Sequence, residues 1–556
     1  MTKESAGTDG AAAVESTPDF PVEFTDPADV GHTWERDDMH MPFALTPLAA
    51  DFIVKALGAS FDLYYQTFGG RQDMRTATWN GYAYFSFRAN VPDTERDATE
   101  AAWIELCRSR IPITRRYWDE EVMPELRRIF EGMAALPIED LPDEEAATAW
   151  VDAWNSVRHV WKLHFISIMG PYQVLEDLSD AYASAMGPGR DAEALGLVAD
   201  SHHELEDVEE GIEALAELAA ELGLASAIEA AANDVERARD RAIEELHAVP
   251  GGDRFVGELE GFLAQHGHLG QNHDDIRQPS WAAAPRQLLA RVATRLRHPV
   301  QPSREREAAL AHRAEELARD VRAALADRPE ELAKFETILA HARDIGYLTE
   351  GHNYWIDRMS QARLRELSMR AGRRLVREGV LVEPDDVFFL GRDEVGAALR
   401  DRSPRADLVR ERRAAHERYE QLSPPYYVGR IPEKPATGDR FDGPRVATME
   451  ADLLRGTGAS AGVVTGPARV TLSQDDFGRI EPGDVIVCPS SNPSWVPVFT
   501  IAGGLVTNTG GVLSHAAVVA REFGLPAVVG AADATTRIAD GRLVEIDGTT
   551  GIVRLL

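Results

Sequence analysis

Thr507-Asn508-Thr509-Gly510-Gly511-Val512-Leu513-Ser514-His515-Ala516-Ala517-Val518-Val519-Ala520-Arg521-Glu522-Phe523-Gly524-Leu525-Pro526-Ala527-Val528-Val529-Gly530 is the stretch on which the reading of this chain turns. A buried strand leads into a double-glycine turn, Ser514 is a good N-cap, and a helix over Ser514 to Phe523 ends at Gly524 before Pro526. That pattern places His515 in the first helical turn, facing a loop whose small residues leave space around the imidazole. Free amides at a helix start, the Gly510-Gly511 backbone and the hydroxyls of Thr509 and Ser514 are suited to hold phosphoryl oxygens. The positive end of the helix dipole also favours neutral imidazole, the nucleophilic form. An isolated histidine in such a place would more often be a side chain packed under a loop.

Around this stretch, from about Gly456, the chain runs in short β-rich segments: Gly462 to Thr465, Ala468 to Thr471, Asp484 to Cys488, Leu505 to Thr507, Ala527 to Val529, Leu543 to Ile546 and Ile552 to Leu555. With a second short helix near Trp495 to Ala502, residues 456–556 read as a compact mixed α and β domain. Upstream, Ser423-Pro424-Pro425-Tyr426-Tyr427 through Pro432, Pro435 and Pro444 reads as a proline-rich hinge over 423–455. Residues 21–422 are expected to form a large, mostly α-helical domain. From about Asp97 to Glu420 apolar residues recur at three- and four-residue spacing, as in Glu204 to Leu222, Ala225 to Val249, Glu305 to Ala326 and Gln361 to Glu378. Irregular or β insertions are expected near Tyr82 to Phe87 and Asp386 to Leu390, and residues 1–20 as a disordered tail. The expected fold class is therefore multidomain, a large helical domain followed by a C-terminal β/β/α domain.

The 556 residues carry 59 basic and 92 acidic side chains, 59 − 92 = −33, a balance that disfavours nucleic acid and anionic membrane as partners. Only five of the basic residues are Lys. Cys107 and Cys488 cannot make a disulfide framework, and neither an apolar leader nor a span of about 18 apolar residues is present. A cytoplasmic location is the expectation.

The run from Thr507 to Gly530 resembles the phosphohistidine signature of the phosphoenolpyruvate-utilising enzymes, among them phosphoenolpyruvate synthase, pyruvate phosphate dikinase and the rifamycin phosphotransferases. The likeness extends over Gly456 to Leu556, including Gly458-Ala459-Ser460-Ala461-Gly462, Gly483-Asp484-Val485 and Asp547-Gly548. It implies that His515 accepts a phosphoryl group and that its small domain swings between two distant sites. Neither a barrel after residue 556 nor a lysine-bearing ATP-grasp domain is legible, and no P-loop occurs. The expectation is that ATP, with Mg or Mn, is bound in a partner ATP-grasp subunit.

Trp34 to Leu48, Phe262 to Trp281 and Tyr347 to Trp355 followed by Asp385 to Leu390 resemble the substrate-binding part of the same family. Where the antibiotic phosphotransferases carry cations, this chain reads Leu348-Thr349-Glu350-Gly351-His352-Asn353-Tyr354, which is similar instead to split enzymes such as phenylphosphate synthase and 4-methylbenzyl phosphate synthase. A small hydroxyl-bearing acceptor, a phenol or aromatic alcohol, is implied. Its hydroxyl must lose a proton, so Glu350 and His352 are the candidate base or orienting groups, with Tyr354 and Trp355 as an aromatic wall. The same residues also fit a helix end with a packed aromatic pair. His268 and Asp274 are candidate substrate contacts; His266, His268, His273 and Asp274-Asp275 have metal-like spacing, but the glycines between them argue for a turn, and no metal is assigned. His202-His203 reads as a helix start. Two alternatives stay open: a rifamycin-type natural-product phosphotransferase, and a non-catalytic phosphohistidine relay or regulatory protein. An apolar cavity on the approach to His515 distinguishes an enzyme from a relay.

Overall fold

The computed structural model describes residues 13–14, 20–37, 40–68, 72–89, 91–198, 204–233, 239–270, 275–298, 303–431, 452–472, 474–491, 495–512 and 514–556. The chain is multidomain, with a large helical region and a β-rich C-terminal part, as its periodicity indicates. Two compact units are found: Met1–Trp103 with Ile138–Arg158 and Met369–Thr437, and Ile104–Pro137 with His159–Ser368 and Gly438–Leu556. These units cut across the expected helical domain 21–422 and place the C-terminal residues in one unit with helices from its middle.

In the first unit five antiparallel strands form a sheet in the order Ala13–Val14, Tyr427–Arg430, Thr33–Arg36, Tyr82–Ala89 and Gln72–Trp79. Asn80 and Gly81, both at positive φ (50° and 80°), make the two-residue hairpin turn whose twist matches the flanking strands. Phe20, Trp34, Tyr82, Tyr84 and Val428 bury one face. The β insertion expected near Tyr82 to Phe87 is thus one strand of a full sheet, while Pro384–Phe389 is a 3-10 turn. Within the expected hinge, Tyr427–Arg430 is a strand of this sheet; Pro432, Pro435 and Pro444 lie outside the described residues. Of the expected disordered tail only Ala13–Val14 and Phe20 are described, and the first two pair with Arg430 and Gly429.

The second unit joins a helical array to the C-terminal sheet. Glu204–Glu221, Ala225–Asn233, Gly252–His266 and Arg286–Arg297 pack around Ile212, Leu215, Ile228, Phe255, Leu259, Leu288 and Val292. Within the expected helix Ala225 to Val249, Ala225–Asn233 and Arg239–His247 are helical, and residues 234–238 lie outside the described residues. The turn Leu348–His352 continues directly into a π-helical turn, Asn353–Arg358, and then into Met359–Arg377. A π-turn inserts one residue per turn and so re-aims the side chains on either side of it, which is why such turns recur at functional sites.

The C-terminal sheet has the strand order Leu453–Arg455, Ile552–Leu555, Leu543–Asp547, Val463–Val470, Val485–Cys488, Gly504–Thr507, Ala527–Val529, Thr457–Ser460. Val463–Val470 is one strand where two short runs were expected, and Thr457–Ser460, not among the expected β segments, pairs antiparallel with Ala527–Val529. Val485–Cys488, Gly504–Thr507 and Ala527–Val529 are parallel and wholly buried, which explains their unbroken apolar sequences. The helix His515–Glu522 crosses between two of these strands, laying Ala516, Ala517, Val519 and Ala520 on Ile486, Leu505, Ala527 and Val529. Among the described residues no helix is long and apolar enough to cross a membrane.

Candidate functional site

His515 stands where a central parallel strand has ended and the crossover helix begins, the position at which open α/β sheets present their chemistry. The loop between is held from three sides. Thr507 Oγ1 donates to the Thr509 carbonyl (2.6 Å), Thr509 Oγ1 to the Pro489 carbonyl (3.1 Å), and Ser514 Oγ to the Gly511 carbonyl (2.8 Å). Gly510 sits at φ 108°, and a Cβ there would meet Ser514 Oγ at 2.8 Å and Ser514 Cβ at 3.1 Å, so only glycine lets the loop fold this tightly against the helix start.

Ser514 has the extended backbone of an N-cap, but its hydroxyl closes the turn to Gly511 and makes no side-chain cap. The hydroxyls proposed from sequence as phosphoryl contacts, Thr509 and Ser514, thus donate their protons to the backbone. Arg521, quoted in the signature without a role, supplies what sequence reasoning missed. Its buried guanidinium donates to the carbonyls of Val512 (2.7 Å) and Ala459 (2.9 Å), tying the histidine loop to the edge strand. Burial pushes its pKa down to about 10, still well above neutrality. Its position near the end of the His515–Glu522 helix was visible; its reach back to residue 459 was not.

His515 Nδ1 lies 3.1 Å from Glu350 Oε2, a carboxylate only 4% exposed, and its Nε2 is buried without a hydrogen-bond partner among the described residues. A carboxylate accepts, so Nδ1 is the protonated nitrogen and Nε2 carries the lone pair. The structure therefore brings together the candidate phosphoryl-carrying histidine and one of the two candidate acceptor-site groups, from segments 165 residues apart. Asn353 Nδ2 also reaches Glu350 Oε2, at 3.4 Å. Gly351 follows Glu350, where a Cβ would meet Glu204 Oε2 at 3.0 Å.

His352 is turned elsewhere. Its Nδ1 donates to the Leu348 carbonyl, its ring stands edge-on to His164 with centroids 4.5 Å apart, and burial drives its pKa down to about 4. Tyr354 belongs to the helical core, its hydroxyl 2.8 Å from His266 Nδ1 and 3.2 Å from the Gln265 carbonyl, with His268 edge-on to its ring at 4.5 Å. Of the two sequence readings of Tyr354, the packed aromatic is the one its surroundings match. Trp355 donates through Nε1 to Glu204 Oε1. His268 is pushed down to about 3 by burial. Asp274, His273 and the pair His202-His203 lie outside the described residues.

A small cleft lies beside the later turns of the His515–Glu522 helix, where Leu205, Val208, Trp281, Val519 and Phe523 meet a charged rim that includes Glu209, Arg291 and Arg358; neither His515 nor Glu350 lines it. Arg358 is 4% exposed and its Nε has no hydrogen-bond partner among the described residues.

Residues 480–551 match the family model described as PEP-utilising enzyme, mobile domain, and residues 170–350 match that described as rifampicin phosphotransferase fourth domain. Chondramide synthase cmdD of Chondromyces crocatus is 28% identical over 99% of this chain and 14% of its own length. A rifampicin phosphotransferase of Streptomyces sviceus is 32% identical over 57% of this chain and 36% of its own length. An uncharacterised phosphotransferase of Bacillus subtilis, YvkC, is 28% identical over 56% of this chain and 38% of its own length. The chain thus spans between 14% and 38% of the length of these relatives. The first match contains His515 and the second ends at Glu350, so the pair in contact joins the two matched segments. Residues 480–551 are accordingly similar to the mobile domain of the PEP-utilising enzymes, and residues 170–350 to the fourth domain of the rifampicin phosphotransferases.

Proposed function

We propose that this chain is a phosphotransferase component that carries a phosphoryl group on His515 Nε2 and hands it to a hydroxyl bound in the helical part. The single observation carrying this reading is the pairing of His515 Nδ1 with Glu350, which leaves Nε2 as a buried lone pair without a partner. In the first transfer Nε2 bonds to phosphorus as the donor's P–O bond breaks. In the second the acceptor oxygen bonds to phosphorus, the N–P bond breaks with its electron pair returning to Nε2, and the hydroxyl proton passes to the remaining oxygen of Glu350. Dividing the reaction in this way lets a nucleotide and an apolar acceptor occupy separate, water-excluded pockets.

The donor in this reading is ATP held with Mg or Mn in a partner ATP-grasp subunit; its β-phosphoryl goes to His515 with AMP as leaving group, and water takes the γ-phosphoryl to give phosphate. A small phenol or aromatic alcohol is the acceptor, supported by the likeness of Leu348 to Tyr354 to the split aromatic phosphotransferases and by the contact of Glu350 with His515. A natural-product acceptor is the second reading, favoured by the relatives named for rifampicin phosphotransfer. The protein is read as cytoplasmic. Incubation of the chain with radiolabelled ATP and its ATP-grasp partner is expected to label wild type and to leave His515→Ala unlabelled with its melting curve unchanged. Label retained in His515→Ala removes the proposal.

A further inference from the structure

We propose that His164, His352 and Asp357 form a binding site for one divalent transition-metal ion of the Zn²⁺ type, on the side of the molecule that carries Glu350. The three side chains come from the long helix Asp143–Met186, the turn Leu348–His352 and the π-helical turn Asn353–Arg358, and offer ligand atoms all within 4.8 Å of one another. His164 Nδ1 and Asp357 Oδ1 are hydrogen-bonded at 2.8 Å, and an ion would take the place of the proton they share. Ligand atoms about 2.1 Å from a tetrahedral ion lie roughly 3.4 Å apart, so on binding the hydrogen-bonded pair opens slightly and separations of up to 4.8 Å close by about an ångström or a little more.

Three features favour a metal over a mere buried pair. His352 donates its Nδ1–H to the Leu348 carbonyl, which fixes the tautomer and leaves Nε2 as the coordinating nitrogen; metal-binding histidines are held by this kind of backbone bond. Both imidazoles are buried, at 8% and 2% exposure, so neither is a solvated surface group. His164 is fixed in place by Trp161, stacked on it at 4.9 Å. Two imidazoles and one carboxylate select a borderline ion such as Zn²⁺ over Mg²⁺, which prefers an all-oxygen shell. With three protein ligands the ion keeps a position open for water or an acceptor oxygen.

His352 and Glu350 are two residues apart, so an ion here gives the acceptor side a Lewis acid distinct from the Mg or Mn assigned to the nucleotide side. That role rests on the phosphotransfer reading; the binding itself does not. The test is a titration of the chelator-treated full chain with Co²⁺, read by its visible d–d absorption, followed by displacement with Zn²⁺. One Co²⁺ per chain is expected, with intense bands between about 500 and 650 nm typical of low coordination number. His164→Gln, His352→Gln and Asp357→Asn are each expected to weaken binding by at least about tenfold, with Asp357→Glu retaining the bands in shifted form. His515→Ala should bind Co²⁺ as wild type does, and a wild-type chain that takes up no phosphoryl label while its Co²⁺ spectra are intact overturns the phosphotransfer reading alone. Absence of saturable Co²⁺ binding by folded wild type, or equal affinity in all three ligand variants, overturns the metal site.

Discussion

Glu350→Gln isolates the contact on which the proposed chemistry depends. Glutamine keeps the shape of the side chain and an oxygen that can accept from His515 Nδ1, so what is lost is the negative charge behind a 3.1 Å hydrogen bond. Hydrogen bonds to charged groups contribute about 1.5–3 kcal/mol against about 1 for neutral ones. Because the Glu350 side chain is 4% exposed, salt and water screen that difference little. A loss of about 1–2 kcal/mol corresponds to roughly 5- to 30-fold in rate, and removal of the proton acceptor for the incoming hydroxyl adds about another 10- to 100-fold. The variant should therefore discharge phospho-His515 to phenol roughly 50- to 3000-fold more slowly. The label can be introduced chemically with phosphoramidate, which needs no partner, and its disappearance followed by acid-labile counting after phenol is added. Charging by phosphoramidate should fall less, by the roughly 5- to 30-fold of the lost charge behind Nδ1 alone, since no acceptor hydroxyl gives up a proton in that step. Equal discharge of variant and wild type would show that Glu350 neither orients the ring nor takes the proton. An equal fall in charging and discharge would show that Glu350 orients the ring without taking the acceptor's proton.

Gly510→Ala forces a Cβ onto positive φ and against Ser514, costing about 2 kcal/mol in the C-terminal domain; a lower unfolding midpoint of that domain by differential scanning calorimetry is expected, and an unchanged one would mean the loop relaxes freely. Arg521→Met removes two donors to the carbonyls of Val512 and Ala459 and should accelerate amide exchange across 508–514 with the helical array unaffected; unchanged exchange there would assign the loop's order to Thr507 and Ser514 alone. His268 is held neutral to about pH 3 whereas an unfolded histidine takes a proton near 6.5. The unfolded state then binds more protons below that value, so stability is highest above pH 6.5 and falls as the pH drops, by about 2 kcal/mol between pH 7 and pH 5. His268→Gln should flatten that dependence in denaturant melts, and an identical slope would show the ring to be solvated.

The stretch from Thr507 to Gly530 states its own structure because each signal in it acts over a few residues. The apolar run before it, the double glycine, the N-cap backbone of Ser514 and the stop at Gly524 correspond to the strand Gly504–Thr507 and the helix His515–Glu522. Helical periodicity likewise marks Glu204–Glu221 and Met359–Arg377, since 3.6-residue spacing is written locally. Strand partners are not written that way: Ala13–Val14 pairs with residues 429 and 430, and Thr457–Ser460 with residues near 527, through backbone groups every residue possesses. The Asn80-Gly81 dipeptide carries the signal of a tight hairpin turn, beyond the irregular or β insertion expected near Tyr82 to Phe87. Glu350 and His352 read from sequence as equivalent neighbours; the helix and the π-turn after it send one to His515 and the other to His164. His164, His352 and Asp357 meet only because two helices pack side by side, and Arg521 finds Ala459 only because a sheet edge returns to it. Local sequence thus determined which residue carries the reactive imidazole. Packing between remote segments decided which nitrogen of it is free, because that depends on a carboxylate brought to its other side by long-range burial.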